Sequence, residues 1–180
     1  MNLKEFVDNQ FISKAGKLGD EYETKYGGCS QAVAGALMRT FNFGNKGLLR
    51  ASNALAGGVC RHGQVCGALL GGLMMISYLV GRDDLENLAQ HEAVMAYGNV
   101  LMEMFENEFG TIICREIQEK RFGRSYNLLD PNELQKFLDD GGHGPEGAPY
   151  VTRIGAELAA KVIIRIVSEN PAALGFSLDD

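Results

Sequence analysis

The clearest periodic pattern in this sequence is LAQHEAVMAYGNVLMEMFENEF, which covers residues 88–109. Mainly apolar residues recur in this stretch at alternating steps of three and four, as they do along the contact seam of a helix bundle. Asp83 or Asp84 can cap its start, and Gly110 ends it. The seam positions are Leu88, His91, Met95, Gly98, Met102, Phe105 and Phe109. The spacing predicts one long bundle helix, with His91 as a core histidine rather than a ligand.

Shorter helical patterns lie on both sides of this stretch. No proline precedes Pro131, strand-like alternation is nowhere sustained, and glycines separate the apolar segments. Asp130 and Pro131 form a strong start signal for a late helix, because they supply a cap and a favoured first residue. The other predicted segments are residues 3–15 with a polar connection through Gly16 and Gly19, residues 29–41, 47–55 and 64–80, a short turn or helix at 114–116, and a last helix through residues 151–166 closed by Asn170-Pro171. The sequence thus predicts an all-α fold, a single-domain bundle of about six to seven helices with glycine-rich connections over residues 1–180.

Charge and hydropathy exclude several functions. The formal net charge is −6, and the 17 Lys and Arg residues form no run, so we expect no nucleic-acid partner. The longest apolar stretch, residues 67–81, is interrupted by glycine and is too short to span a bilayer. The N-terminus has no signal-peptide pattern, which predicts a cytoplasmic protein with reduced thiols.

The chemistry-bearing candidates are the four cysteines, each of which has glycine nearby: Cys29, Cys60, Cys66 and Cys114. Cys29, Cys66 and Cys114 fall at predicted helix N-termini, where backbone N–H groups favour the thiolate that binds metals and reacts. The alternative is that each is a small buried hydrophobe, since Cys is among the most buried residue types. We predict that the four cysteines form one site.

The stretch GGVCRHGQVCGALLGG, residues 57–72, supports this interpretation. Gly57, Gly58 and Gly63 permit a loop with positive φ, while Gly67 and Gly71 allow another helix to approach closely. The alanine stripe of the Cys29 helix can be that neighbour. Two helix N-termini would then bring Cys29 and Cys66 together, with the Cys60 loop alongside.

The chain resembles the family of redox-active proteins named for the cysteine pattern C…GCAxxG…C…C, whose helical domain is similar to the iron–sulfur portion of split-Soret cytochromes. The resemblance covers about residues 20–165 and is carried by residues 26–33 (YGGCSQAV), 56–59 (AGGV), 66–71 (CGALLG), Phe105, and Phe109-Gly110 leading to 114–116 (CRE). It implies a small helical protein, a dimer, that uses its cysteines for electron transfer or an iron–sulfur centre.

Three features depart from the family pattern. The chain has Cys66-Gly67-Ala68 where the family reads Gly-Cys-Ala, and no cysteine follows Cys114. Cys60 is extra to the pattern and is a candidate to replace the missing cysteine. If it does not, His143 or His62 can supply a fourth ligand, as imidazole does in some clusters and zinc sites. No Cys-x-x-Cys-His motif is present, so c-type haem is not expected.

Three functional hypotheses follow. The first is an iron–sulfur protein, with a two-iron cluster on Cys29, Cys60, Cys66 and Cys114, that carries electrons to an unknown protein partner and has no substrate of its own. The second is a metal-free thiol–disulfide protein using low-pKa Cys29 and Cys66. The third is a structural zinc domain, because four thiolates also suit zinc. Small-residue helix faces permit a homodimer without requiring it, and no catalytic triad or nucleotide-binding loop appears.

Overall fold

The structure, a computed structural model, describes the backbone of residues 3–170 and the side chains of residues 8–170. These residues are all-helical, with 72% in helices and no strands. The elements in chain order are α1 (Leu3–Tyr26), α2 (Cys29–Phe41), α3 (Lys46–Ala51), a 3₁₀ turn (Asn53–Leu55), α4 (Gly67–Val80), α5 (Leu88–Phe109), α6 (Cys114–Phe122), α7 (Pro131–Asp139) and α8 (Ala148–Glu169). The predicted class is confirmed, and the described residues contain eight α-helices rather than six or seven.

Helix α8 lies at the centre of the fold, in contact with α1, α2, α4 and α5. Its small residues let these helices approach, and the main core forms where they meet. The largest fully buried side chains there include Leu37, Leu69, Phe105 and Ile163. Burying an apolar side chain of this size stabilises a fold by roughly 1.5–3 kcal/mol. This core is therefore sufficient to set the positions of α1, α2 and α4, which bear on the cysteine site.

Helix α1 is longer than predicted, because Gly16 and Gly19 lie inside it instead of ending it. A Cβ at Gly16 would lie 2.3 Å from Glu157 Oε1, and one at Gly19 would lie 3.1 Å from the backbone oxygen of Thr152. These glycines therefore make room for α8 rather than for a turn. The predicted polar connection after residue 15 was wrong.

Helix α5 has the predicted end, but only part of the predicted seam is buried. Phe105 is buried, whereas Leu88 is 67% exposed and Met95 is 45% exposed. Val94 and Leu101 are buried instead, and His91 is only partly buried rather than a core residue. The first half of α5 thus turns a different face to the protein than the sequence periodicity indicated.

Several helix boundaries also differ from the predictions. Asn87, rather than Asp83 or Asp84, caps α5 by accepting a hydrogen bond from the Gln90 N–H. The predicted helix over 47–55 is α3 followed by the 3₁₀ turn, α4 begins at residue 67 rather than 64, and α6 has nine residues. Asp130 caps α7 as predicted. Helix α8 ends before Asn170, and Pro171 lies outside the described residues.

Helix α7 and the end of α6 pack on a second, smaller apolar cluster. Tyr126, Leu128 and Phe137 are its buried members, with Phe122 and Leu134 packed against them. We call this group the satellite cluster. It is separate from the main core, so the fold has two apolar centres with space between them.

Candidate functional site

Three cysteines lie at the N-termini of three different helices. Cys29 is the first residue of α2, Cys114 is the first residue of α6, and Cys66 is the residue directly before α4. Cys66 is buried, and the other two are partly buried. The sequence prediction that these cysteines occupy helix N-termini is therefore confirmed.

Backbone hydrogen bonds hold the starts of α4 and α6 side by side. The Cys66 N–H donates to the Ile112 carbonyl at 2.8 Å, and the Cys114 N–H donates to the Gln64 carbonyl at 2.7 Å. An isolated antiparallel bridge joins Val65 and Ile113 between them. This pairing explains why α4 begins at residue 67, and it brings Cys66 and Cys114 into the same small region.

The start of α2 approaches α4 through glycines. A Cβ at Gly67 would lie 2.5 Å from Cys29 Sγ, and one at Gly71 would lie 2.5 Å from the Ser30 carbonyl oxygen. The Ser30 hydroxyl donates to the Ser52 carbonyl at 2.7 Å, which fixes α2 to the chain just before the Cys60 loop. The expected close approach of the Cys29 helix to Gly67 and Gly71 is confirmed. It places the Cys29 sulfur against the start of α4.

Cys60 lies in a left-handed turn. Residues 57–61 all have positive φ, including the non-glycine residues Val59 (62°), Cys60 (49°) and Arg61 (66°). The Cys60 N–H donates to the Ala54 carbonyl at 2.8 Å, and its thiol donates to the same oxygen at 3.3 Å. The glycines of this segment predicted a loop with positive φ. They did not predict that three consecutive residues with side chains would also adopt positive φ. The Cys60 side chain is exposed.

All four cysteines line one cavity of about 730 Å³. His143 also lines it, whereas His62 is exposed and its Nδ1 lies 3.1 Å from the Cys60 carbonyl oxygen. Within the part of the chain whose side chains are described, no group of three or more His, Cys, Asp or Glu residues is arranged to hold a metal ion. The predicted cysteines thus share a cavity without forming a compact ligand set.

Glu23 is a residue of this cavity that the sequence analysis missed. Its side chain is only 3% exposed, and its Oε1 lies 3.8 Å from His143 Nδ1. Its Oε2 has no hydrogen-bond partner in the described part of the chain. Burial raises its pKa to about 7. The four-residue spacing of Ala15, Gly19 and Glu23 would have placed Glu23 on the buried face of α1, had that helix been extended past residue 15.

A family model matches residues 12–137, which is most of the chain, and the family is described as "Putative redox-active protein (C_GCAxxG_C_C)". The chain belongs to this family. Neither a comparison with curated proteins nor one with solved structures finds a match. None of the helices among residues 3–170 has the length and hydrophobicity needed to cross a membrane.

All four cysteines fall within the region that matches the family model. His143 lies beyond it, in the turn between α7 and α8. The C_GCAxxG_C_C match therefore covers the left-handed turn and the three helix N-termini, while Glu23 at the end of α1 is also inside it. The resemblance seen in the sequence is confirmed, with a match that begins earlier and ends sooner than residues 20–165.

The thiols of Cys29, Cys66 and Cys114 are weak acids, contrary to the expectation from their helix positions. Burial raises the pKa of Cys66 to about 12 and that of Cys114 to about 11, and it raises the pKa of Cys29 well above its usual range. Negative charge on Cys66, Glu23 and Cys114 raises the pKa of Cys29 further. N–H groups of Gly57 near Cys29 and of Ala68 and Leu69 near Cys66 act in the opposite direction. Desolvation outweighs the effect of the helix N-termini, so these three thiols are protonated at neutral pH.

Proposed function

We propose that this protein is an electron carrier whose redox centre is an iron–sulfur cluster, most simply a two-iron cluster, held by Cys29, Cys60, Cys66 and Cys114. The observation that carries the proposal is that three helix N-termini and the left-handed turn bring four cysteines to one cavity. Thiolates are the usual ligands of such clusters. Membership of a redox-active family supports a redox role. Its partner is another electron-transfer protein, and a reducing cytoplasm would keep the thiols available.

The high pKa values of the buried thiols favour metal binding over the alternative of a metal-free thiol–disulfide protein. A dithiol protein needs a thiolate near neutral pH, whereas Cys66 and Cys114 have pKa values of about 12 and 11. A bound metal replaces the thiol protons and offsets the repulsion between neighbouring thiolates. Burial therefore keeps the cysteines as thiols, which are poor nucleophiles, when no metal is bound. It is compatible with metal ligands that become thiolates only when the metal binds.

Polar groups near the sulfurs fit a buried anionic centre. Besides the N–H groups near Cys29 and Cys66, the Gln118 side-chain amide donates to Cys114 Sγ at 3.5 Å. Such donors stabilise negative charge on ligand sulfur and tune the reduction potential of a cluster. When bound, the cluster would supply one-electron chemistry, and these donors would set how readily it is reduced.

Cys60 must change its side-chain contacts to act as a ligand. Its thiol is exposed and bonded to the Ala54 carbonyl, so the side chain must leave that bond to join the other three. The turn that holds it contains residues in unfavourable left-handed conformations, which lowers the energy needed to rearrange it. His143, on the cavity wall, is the alternative fourth ligand.

The first experiment is anaerobic purification followed by an absorption spectrum and analysis of iron, sulfide and zinc in the same sample. Brown protein with visible charge-transfer bands and two irons per chain is the expected result. Colourless protein containing zinc would replace the proposal with a structural zinc site. Colourless, metal-free protein with four titratable thiols would replace it with dithiol chemistry, despite the high pKa values.

Substitution then tests each proposed ligand. Cys66→Ser should abolish iron binding, and Cys60→Ser should lower the iron content or shift the visible spectrum. His62→Ala is the matched control in the same loop, because His62 does not line the cavity. An unchanged spectrum and stoichiometry in Cys60→Ser would remove Cys60 from the ligand set, and His143→Ala would then show whether the imidazole takes its place.

A further inference from the structure

The cavity that holds the cysteines continues well beyond them. On its far side it is lined by apolar residues of α6, the α6–α7 connection, α7 and the start of α8, where the satellite cluster faces the main core. We call this part of the cavity the apolar arm. The arm is lined by Ile117, Phe122, Leu128, Leu134, Phe137 and Val151. A volume of about 730 Å³ lies within the range of sites that enclose small organic molecules, roughly 300–1,000 Å³. None of these side chains can ligate a metal, so the arm supplies no ligand to the proposed redox centre.

Two buried polar atoms of this cavity have no hydrogen-bond partner among the residues whose side chains are described. Glu23 Oε2 and Thr152 Oγ1 accept no hydrogen bond, and both residues line the cavity. Glu23 is 2% exposed and Thr152 is completely buried. A buried polar group without a partner destabilises the fold, and more so when it is charged. Their common chemistry is that each can accept a hydrogen bond from an N–H donor.

The surrounding charges also favour a cationic donor. His143 Nδ1 lies 3.8 Å from Glu23 Oε1, beyond hydrogen-bond distance, and leaves Glu23 Oε2 without a partner among the described residues. Arg121 lines the cavity but is held by the Glu146 carbonyl and carboxylate and stacks on Tyr150. Arg61 also lines the cavity, but among the described residues neither arginine forms an ion pair with Glu23.

We infer that this cavity binds a small organic ammonium ion, with its charged nitrogen at Glu23 and Thr152 and its apolar body in the arm beside Phe137. Charge-assisted hydrogen bonds to a desolvated carboxylate would supply the specificity, and burial of the apolar body would supply much of the affinity. The site is adjacent to the cysteines but uses none of them. The inference therefore goes beyond the proposed electron-transfer function and does not rest on it.

The test compares three probes of similar shape on the full-length protein by isothermal titration calorimetry at pH 8. Benzylammonium should bind about tenfold more tightly than benzyl alcohol, because it adds a charge-assisted hydrogen bond, and benzoate should not bind measurably. Equal affinity for the three probes, or no binding of benzylammonium, would overturn the inference.

Substitutions connect the affinity to the two unpartnered groups. Glu23→Gln should remove the tenfold preference for benzylammonium over benzyl alcohol, and Thr152→Val, which keeps the side-chain shape, should weaken benzylammonium binding severalfold. Glu21→Gln is the matched control, since Glu21 is an exposed carboxylate on the same helix. If Glu23→Gln retains the preference, the inference is wrong.

The same samples keep this inference separate from the iron–sulfur proposal. Iron content and visible spectrum are measured for each variant before the titration. Amine binding that follows Glu23 in a protein without iron would support the cavity site while the cluster proposal fails. A normal cluster spectrum without amine binding would support the cluster and overturn the cavity site.

Discussion

Glu23 makes the stability of the protein depend on pH in an unusual direction for a carboxylate. Burial raises its pKa from 4.5 to about 7, so the folded chain holds the proton more tightly than the unfolded chain does. Its contribution to stability is fully present below pH 4.5 and is lost as the pH rises to about 7. We predict that Glu23→Gln is the more stable protein at pH 8, by up to about 3 kcal/mol, with a much smaller difference near pH 4.5.

The measurement is the free energy of unfolding in urea, for the metal-free wild type and variant, at intervals from pH 4.5 to 8. Glu21→Gln serves as the reference, because that carboxylate is exposed on the same helix and should give a pH profile parallel to the wild type. A Glu23→Gln profile that also runs parallel to the wild type would mean that the carboxyl titrates normally in the folded chain.

Val59 stores backbone strain beside Cys60. A φ of 62° is unfavourable for any residue with a Cβ, by roughly 1–2 kcal/mol, and most unfavourable for a β-branched one. Val59→Gly should therefore stabilise the folded chain by about 0.5–1 kcal/mol in urea unfolding, after the greater flexibility of glycine in the unfolded state is subtracted.

Val59→Ala separates strain relief from the loss of the valine side chain. Alanine retains the Cβ, so it should recover less stability than glycine at this position. If both variants are destabilised equally, side-chain contacts of Val59 outweigh the strain.

At the residue scale, the sequence locates the cysteines better than it describes their chemistry. Glycines mark the positions of Cys29, Cys66 and Cys114 at helix starts because both the turns and the close approaches need them. The prediction of low thiol pKa values was wrong, because burial raises the pKa of Cys66 instead. A helix N-terminus can be recognised from local sequence, whereas desolvation depends on the whole surrounding fold. Glu23 escaped notice for the same reason, as only the path of α1 over α8 buries it.

At the scale of elements, the contact between α2 and α4 allows one sharp test. Gly71→Ala would place a methyl carbon 2.5 Å from the Ser30 carbonyl oxygen and 3.1 Å from its Cα, both backbone atoms that cannot move aside. We predict a loss of about 1–3 kcal/mol in the free energy of unfolding. The displaced α2 should also lower metal uptake, because Cys29 precedes Ser30.

Gly98→Ala is the control for this substitution. Gly98 lies within α5, and the nearest atom to its added Cβ is Leu73 Cδ2 at 3.4 Å, the end of a flexible side chain. Alanine there should be neutral or stabilising by up to about 1 kcal/mol, since it is the better helix former. Similar losses for both variants would show that Gly71 is not a special contact point.

Helix ends with their own capping signals are predictable, whereas glycines inside helices are ambiguous. The start of α7 follows from Asp130 and Pro131, and the end of α5 follows from Gly110, because these signals act within one turn. Gly16 and Gly19 resemble a break in the sequence, yet in the fold they serve contact with α8. Only the partner helix distinguishes the two uses.

At the scale of the whole molecule, most of the main core lies apart from the cysteine site, which adjoins one side of it. The buried side chains around α8 form the core, while the cavity lies at one side, between that core and the satellite cluster. Cys66 is a buried member of the core and Cys29 packs against it, but most of the buried core side chains do not line the cavity. The helices can therefore form without a metal, unlike those of small domains that fold only when zinc is bound.

This separation predicts what metal removal does. Stripping the proposed cluster by oxidation and chelation should leave the helix content, measured by far-UV circular dichroism, nearly unchanged, and should lower the midpoint of thermal unfolding by roughly 5–10 °C, because the folded state loses a ligand it binds preferentially. Cys66→Ser, which cannot assemble the cluster, provides the control: the same treatment should not shift its midpoint. Collapse of the helical signal on metal removal would contradict the independence of core and site, and an unshifted wild-type midpoint would mean that the metal contributes nothing to the fold.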